Sequence, residues 1–273
     1  MSQQLKYISR IKDEFDTVIC GMNGVFMRGA NLEPKAINAL IKLYQSGKKI
    51  MLATNSGLRV NDIFCFLKNN NVPMHIFHAI ISAGEIAHFY LKNNHSLGNK
   101  YYSFASSCVM QGLNYELTED ICSADFLLAE TEMGSFDDEK HTIIMQEAIS
   151  RKLPLLCVGN NTSVITEKGL CNSVGTLAEQ YAMQGGKIIP FGKPDKRIVA
   201  YLSENITNFD CRRCLIIGDC MATDIRMGNS VRAQTLLITN GVLQLRNPNE
   251  QQINELSKNY GLNIDYYMEN LQW

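Results

Sequence analysis

Four short polar stretches stand where apolar runs stop. They are Gly21-Met22-Asn23-Gly24-Val25 after TVIC (17–20), Thr54-Asn55-Ser56-Gly57 after KKIMLA, Phe191-Gly192-Lys193-Pro194 ahead of the amphipathic stretch 195–206, and Asp219 through Thr223-Asp224-Ile225 after CLIIG. A hydroxyl at Thr54, an ammonium at Lys193 and carboxylates at Asp219 and Asp224 are the groups that hold a phosphate and a divalent cation. Oxygen donors, with phosphate supplying some of them, suit Mg²⁺. Taken singly none of these stretches is diagnostic: a Gly-Lys-Pro also makes an ordinary loop, and an aspartate after a strand also caps a helix.

For such groups to converge, each must leave the carboxyl end of a strand in one parallel sheet. The pattern supplies those strands. TVIC is short and β-branched, 48–57 reads as a buried strand running into a turn, and 124–131, 153–161, 214–220 and 233–241 repeat the pattern. Between them lie helical stretches. Residues 34–46 put Ile37, Leu40, Ile41 and Tyr44 on one face, with Pro34 in the first turn and Gly47 as the stop; 61–70 follows with Asn61 as N-cap; 138–152 and 195–206 complete the set. Strand and helix in alternation predict right-handed βαβ units, hence an α/β fold built on a doubly wound parallel sheet.

The 273 residues suffice for one large domain or two modest ones. Lys plus Arg number 26 and Asp plus Glu 27, a balance that argues against a nucleic-acid partner and against a polybasic membrane patch. No apolar run is long enough to span a bilayer, and no secretory leader is visible, so a cytoplasmic location is expected. Nine cysteines, an odd number scattered over both halves, read as reduced thiols. Cys211 and Cys214 form the one CxxC pair, and without a second pair they do not make a zinc site. His75, His78 and His88 flank an apolar stretch and read as packing or surface residues. A homo-oligomer is compatible with all of this.

Taken in order, the four stretches resemble subfamily IIA of the haloacid dehalogenase-like (HAD) hydrolases, over a span from about residue 14 to Trp273. That branch includes nitrophenyl, sugar-phosphate and nucleotide phosphatases. Its pattern runs hydrophobic strand, Asp-x-Asp-Gly-Val, Thr-Asn, Gly-Lys-Pro, Gly-Asp-x-x-x-Thr-Asp-Ile. The last three elements stand intact at Thr54-Asn55, Gly192-Lys193-Pro194 and Gly218-Asp219 to Asp224-Ile225. The resemblance implies a Rossmann-like core, residues 1–83 with 188–273, and an inserted α/β cap, residues 84–187, with Ser82-Ala83-Gly84 and Gly185-Gly186 as hinges. It implies Thr54, Asn55 and Lys193 as phosphate-binding residues. It further implies Asp219, Asn23 and Asp224 as what remains of a Mg²⁺ site, and a small phosphorylated ligand or inorganic phosphate as partner. The cap's specificity loop, often Asn-Pro-Asp in the family, aligns with Asn160 and Asn161.

The first motif is broken. Gly21 stands where the resemblance puts the nucleophilic aspartate, and Asn23 where it puts the acid/base aspartate. A glycine cannot carry covalent catalysis, and an amide cannot cycle a proton. Of the conceivable substitutes, Cys20 points to the opposite face of its strand, Asp16 precedes the strand, and Cys220 shares the rim with Asp219. Three readings follow: a catalytically impaired member that still binds phosphate, an active Mg²⁺-dependent phosphatase with an altered mechanism, and a structural or regulatory protein that binds partners.

Overall fold

The computed structural model describes residues 2–104, 107–130, 139–166, 168–204 and 206–273. Seven strands form one sheet in the order Gln3–Gln4, Tyr266–Met268, Gln234–Ile238, Cys214–Gly218, Thr17–Cys20, Lys49–Thr54, Phe77–Ser82, and every pair is parallel. Thr17–Cys20 is central and wholly buried. Its side chains divide between the two faces, as a pleated strand requires. Val18 and Cys20 pack with Phe15, Leu40, Leu43, Leu52 and Ile217, while Ile19 packs with Met51, Ile198, Leu202 and Ile216. A parallel sheet covered by helices on both faces is the doubly wound α/β arrangement the pattern predicts.

A second parallel sheet has the order Lys187–Phe191, Pro154–Val158, Phe126–Glu130, Lys100–Ser103, Glu116–Leu117. Two apolar clusters cover it. One is centred on Leu127, Leu155 and Tyr181, the other on Phe126, Leu128 and Leu156. This sheet continues past residue 187, since its edge strand ends at Phe191 and leads directly into Gly192-Lys193.

Most predicted elements are present with trimmed ends. The helix 34–46 is Pro34–Gln45, with Gly47 just beyond it at φ +84. The strands read at 48–57, 153–161, 214–220 and 233–241 are Lys49–Thr54, Pro154–Val158, Cys214–Gly218 and Gln234–Ile238. Those read at 124–131 and 138–152 are Phe126–Glu130 and Glu139–Ser150, and Thr131 and Asp138 lie outside the described residues. The helix 195–206 is Arg197–Ser203, with Asn205 outside the described residues.

One local expectation needs correction, and one stretch read as a hinge finds its place at a strand–helix junction. The helix read at 61–70 is Val60–Asn69, and its N-cap is Arg59 rather than Asn61. The Glu85 carboxylate, from a distant part of the chain, accepts the Val60 N–H at 3.0 Å and does the work of a capping side chain. The stretch Ser82-Ala83-Gly84, read as a hinge, is the start of helix Ala83–Asn93, capped by the Ser82 hydroxyl, which accepts from the Glu85 N–H at 3.0 Å. Gly84 is there because a Cβ would lie 1.9 Å from the Gly57 carbonyl oxygen.

Candidate functional site: a strand-end cleft around Lys193

The four polar stretches meet at the carboxyl end of the seven-stranded sheet. Met22, Asn23, Thr54, Asn55, Lys193, Asp219 and Asp224 line one cleft. The second sheet's connections add Asn161, Ser163 and Val164, which close it from above, and Val242 comes from the loop after Gln234–Ile238. The cleft has room for about 20 Å³, enough for one water.

Lys193 is buried at the centre. Its Nζ donates to the Ala53 carbonyl at 2.9 Å and to Asp224 Oδ1 at 2.7 Å. The lysine therefore pairs with Asp224, not with Asp219 as its closest alternative in the motif. Buried ions persist only when paired, and this pair is nearly solvent-free on both sides. Among the described residues Asp219 has no ion-pair partner. Its Oδ2 accepts the Val242 N–H at 2.8 Å. Burial, and then the charge of Asp224, push its carboxyl up to about 7, against the pull of the Val242 N–H and Lys193. Two glycines make room for it: a Cβ on Gly24 or Gly241 would lie 1.8 or 2.2 Å from Asp219 atoms. The sequence signal for this cradle is the Asn-Gly after each strand, Asn23-Gly24 and Asn240-Gly241.

Thr54 is buried with its hydroxyl accepting the Ser56 N–H at 3.2 Å, which leaves the O–H proton to aim at a ligand. Asn55 differs from the expectation of an open phosphate donor. Its Oδ1 accepts the Lys193 N–H at 2.7 Å, and its Nδ2 donates to the Lys193 carbonyl at 3.2 Å and to Asn161 Oδ1 at 2.6 Å. Asn55 is thus the clamp on the lysine's main chain. Gly192 permits it, at φ +107, where a Cβ would lie 2.5 Å from Asn55 Oδ1.

Gly21 closes the central strand, its N–H donating to the Ile217 carbonyl at 2.8 Å. Its φ lies outside the left-handed region, and a Cβ there would meet Asp224 Oδ1, the Ile217 carbonyl and a Val25 methyl, each at 3.4 Å. The vacant side-chain position therefore faces the Lys193–Asp224 pair. Asn23 Oδ1 is buried without a hydrogen-bond partner.

Comparison with known proteins agrees with this fold. Residues 190–271 match the family model described as HAD-hydrolase-like. The chain is 32% identical over 102 residues to the glycerol-3-phosphate phosphatase of Gallus gallus, a match spanning 37% of this chain and 30% of that protein's length. A haloacid dehalogenase-like hydrolase of Brucella suis superposes with a TM-score of 0.79 at 20% identity, covering 98% of this chain and 99% of the other. A possible sugar phosphatase of the HAD superfamily from Cytophaga hutchinsonii gives 0.77 at 20% identity, covering 98% of each. The chain shares the fold of these two proteins, and its residues 190–271 carry the family match.

Within this fold none of the three conceivable replacement nucleophiles is placed to act. Cys20 is buried in the core, burial pushes its thiol far up, and it donates to the Gly21 carbonyl. The Cys220 thiol is pushed up by burial and by Asp224, which disfavours a thiolate. Asp16 sits at the amino end of its strand, exposed and bound to Arg213. The residues at the site offer Mg²⁺ fewer free oxygens than the family's motif would. Asp224 Oδ1 is taken by Lys193, and Oδ2 faces the Thr223 hydroxyl at 3.4 Å. What is left is one oxygen of Asp219 and the unpartnered Asn23 Oδ1, so waters and a ligand's phosphate oxygens would have to complete the octahedron. Among the described residues, no group of three or more His, Cys, Asp or Glu is placed to hold a metal ion, the CRRC pair included.

Of the three histidines read as packing or surface residues, His75 and His78 are exposed and His88 is buried. His75 meets the Tyr44 ring edge-on and His78 meets it tilted, and His88 lies 2.7 Å from Arg59 and 2.8 Å from the Val109 carbonyl. No helix among the described residues is long and apolar enough to cross a membrane.

Proposed function

We propose that this HAD-like protein of the phosphatase type binds a phosphoryl oxyanion and does not turn over phosphate esters. One observation carries the reading. At the end of the central strand, where the family resemblance puts the nucleophile, Gly21 offers no side chain, and no neighbouring thiol or carboxylate replaces it. Covalent phosphoryl transfer then has no acceptor, and Asn23 has no proton to exchange.

The groups left in the cleft support binding. Lys193 presents its charge, Thr54 a hydroxyl proton, and the missing carboxylate at Gly21 removes one repulsion against an anion. In this reading residues 84–187, with the strand continuing to Phe191, act as a cap over a core of 1–83 and 188–273. The partner is a small phosphorylated molecule or inorganic phosphate, Mg²⁺ is weak or absent, and the chain works as a soluble pseudoenzyme in the cytoplasm.

The test has two arms. A panel of phosphomonoesters with Mg²⁺ is expected to show no hydrolysis above background, and phosphate is expected to raise the melting temperature. Hydrolysis comparable to an active relative would overturn the first half. A melting temperature indifferent to phosphate would overturn the second and favour the structural reading.

A further inference from the structure

The turn at Asn160 and Asn161, which the family resemblance makes a reader of substrate, is mounted rigidly on its own sheet. The Asn161 carbonyl accepts the Gly175 N–H at 3.0 Å, and the Thr162 carbonyl accepts the Ser173 N–H and the Thr176 hydroxyl, each at 2.8 Å. A Cβ on Gly175 would lie 2.6 Å from the Asn161 oxygen, so the contact requires glycine. Turn and helix Val174–Met183 therefore move as one body.

From that mount both side chains reach across to the lysine loop. Asn161 Oδ1 accepts from Asn55 Nδ2 at 2.6 Å, and Asn160 Nδ2 donates to the Lys193 carbonyl at 3.0 Å. Asn55 in turn grips both the N–H and the carbonyl of Lys193. One further bond joins the two sheets' territories nearby, from the Gly29 N–H to the Ile165 carbonyl at 3.2 Å.

We infer that Asn161 is a gate on the cleft, coupled through Asn55 to the position of Lys193, so that admission of a phosphate-sized oxyanion and placement of the ammonium are one event. This rests on the anion-binding reading. With the gate closed, the cleft has room for about one water, less than a tetrahedral oxyanion needs. Entry requires the turn to lift. Lifting it breaks the Asn55–Asn161 and Asn160–Lys193 bonds together, because both side chains sit on one rigid turn. Asn55 then loses its outer anchor while still holding the lysine's main chain. Among the described residues no hydrogen bond joins Asn161 to Lys193, so its side chain acts on the lysine through the Asn55 amide, beside the bond that Asn160 makes from the same turn. Asn160 and Asn161 act here as positioning residues.

Amide hydrogen exchange on the whole chain, with no ligand present, tests the coupling. In Asn161→Ala the Lys193 amide is expected to exchange roughly tenfold faster, the equivalent of one hydrogen bond of about 1.4 kcal/mol. Asn161→Asp keeps the acceptor for Asn55 Nδ2 and is expected to restore the slow exchange. Stopped-flow mixing with inorganic phosphate should show faster association with Asn161→Ala than with wild type. An unchanged Lys193 amide in Asn161→Ala overturns the gate even if phosphate binds. If phosphate binds to no form, the anion reading fails, and the exchange result alone still decides the coupling. Should Asn161→Ala fail to fold, Asn160→Ala removes the second bond of the same latch. It should also speed exchange at Lys193, and an unchanged rate there would overturn the proposal.

Discussion

The loop after Cys20 and the loop after Gly218 leave adjacent strands of the same sheet and face each other across the same cleft. The second keeps everything a charged site needs. Asp224 is buried against Lys193, Asp219 is cradled by two glycines, and Thr223 backs the pair. The first keeps the backbone and has lost the chemistry. Gly24 still takes φ +75 and still presses on Asp219, while Gly21 has no side chain and the Asn23 oxygen has no partner. The difference separates two demands on a site. The shape of the first loop is held by its contact with Asp219 and by strand pairing, so it survives without the reactive carboxylates. Charges buried in the second loop stay because removing one would strand the other.

The largest effect expected from this contrast is on turnover. Loss of a nucleophile typically lowers kcat by about a factor of 10⁶, so the wild-type protein should leave p-nitrophenyl phosphate at background with Mg²⁺. The double change Gly21→Asp plus Asn23→Asp should give measurable, Mg²⁺-dependent hydrolysis, and either single change should give none. The structure permits the first substitution, since Gly21 has an ordinary φ and its Cβ would meet neighbours at 3.4 Å. A folded double mutant that binds Mg²⁺ yet stays at background would show that the second loop, too, has lost its function. A wild-type rate abolished by Asp219→Asn would show that the first has not.

Next comes the ion pair. Lys193→Met leaves Asp224 buried without a partner, and urea unfolding is expected to show a loss of about 3–5 kcal/mol. Asp224→Leu combined with Lys193→Met should lose markedly less than the sum of the two single changes, since no charge is then stranded. Additive losses would mean that the pair is not the unit the structure makes it.

Much of this was legible in the sequence, for a physical reason. Each motif follows a short apolar run, and strand ends in a parallel sheet all point to one rim. Lys193, Thr54, Asp219 and Asp224 could therefore be brought together from their order alone. Who pairs with whom could not. Choosing Asp224 over Asp219 for Lys193 depends on ångström-scale placement that residue types do not encode. Asn55 read as a ligand donor because the sequence cannot show that Gly192 brings the Lys193 amide within 2.7 Å of it. The helix at Val60 was misplaced by one residue because its cap, Glu85, is remote in sequence. The edge strand Phe77–Ser82, FHAIIS, and the hairpin Ser163–Thr166 with Gly169–Asn172 are short and carry no clear alternation.

A third expectation concerns pH. Asp219 holds its proton more tightly when folded, up to about 7 against 3.8 for an ordinary aspartate. Between those values the native state binds more protons than the unfolded chain, so stability falls as pH rises from about 4 to 7, and levels off above. The full change is on the order of 4 kcal/mol. Urea midpoints across that range should show it in wild type, and Asp219→Asn should flatten the profile. An equally steep decline in Asp219→Asn would place the titrating group elsewhere.

The smallest effects compare two glycines three residues apart in the first loop. If its backbone is retained for shape, the two should respond oppositely to a single methyl. At Gly24 an alanine meets φ +75 and a Cβ position 1.8 Å from Asp219 Oδ2. The strained backbone alone costs about 1–3 kcal/mol, and the displaced carboxylate adds to it. At Gly21 the methyl meets three neighbours at ordinary contact distance with no unusual φ. There an alanine also reduces the freedom of the unfolded chain, which stabilises by about 0.4–1 kcal/mol where the native backbone accepts it. Thermal unfolding of Gly24→Ala and Gly21→Ala should therefore move in opposite directions. Equal losses at both would mean that Gly21 is held as tightly as Gly24, and that the space facing Lys193 and Asp224 is closed to the side chain the double mutant needs.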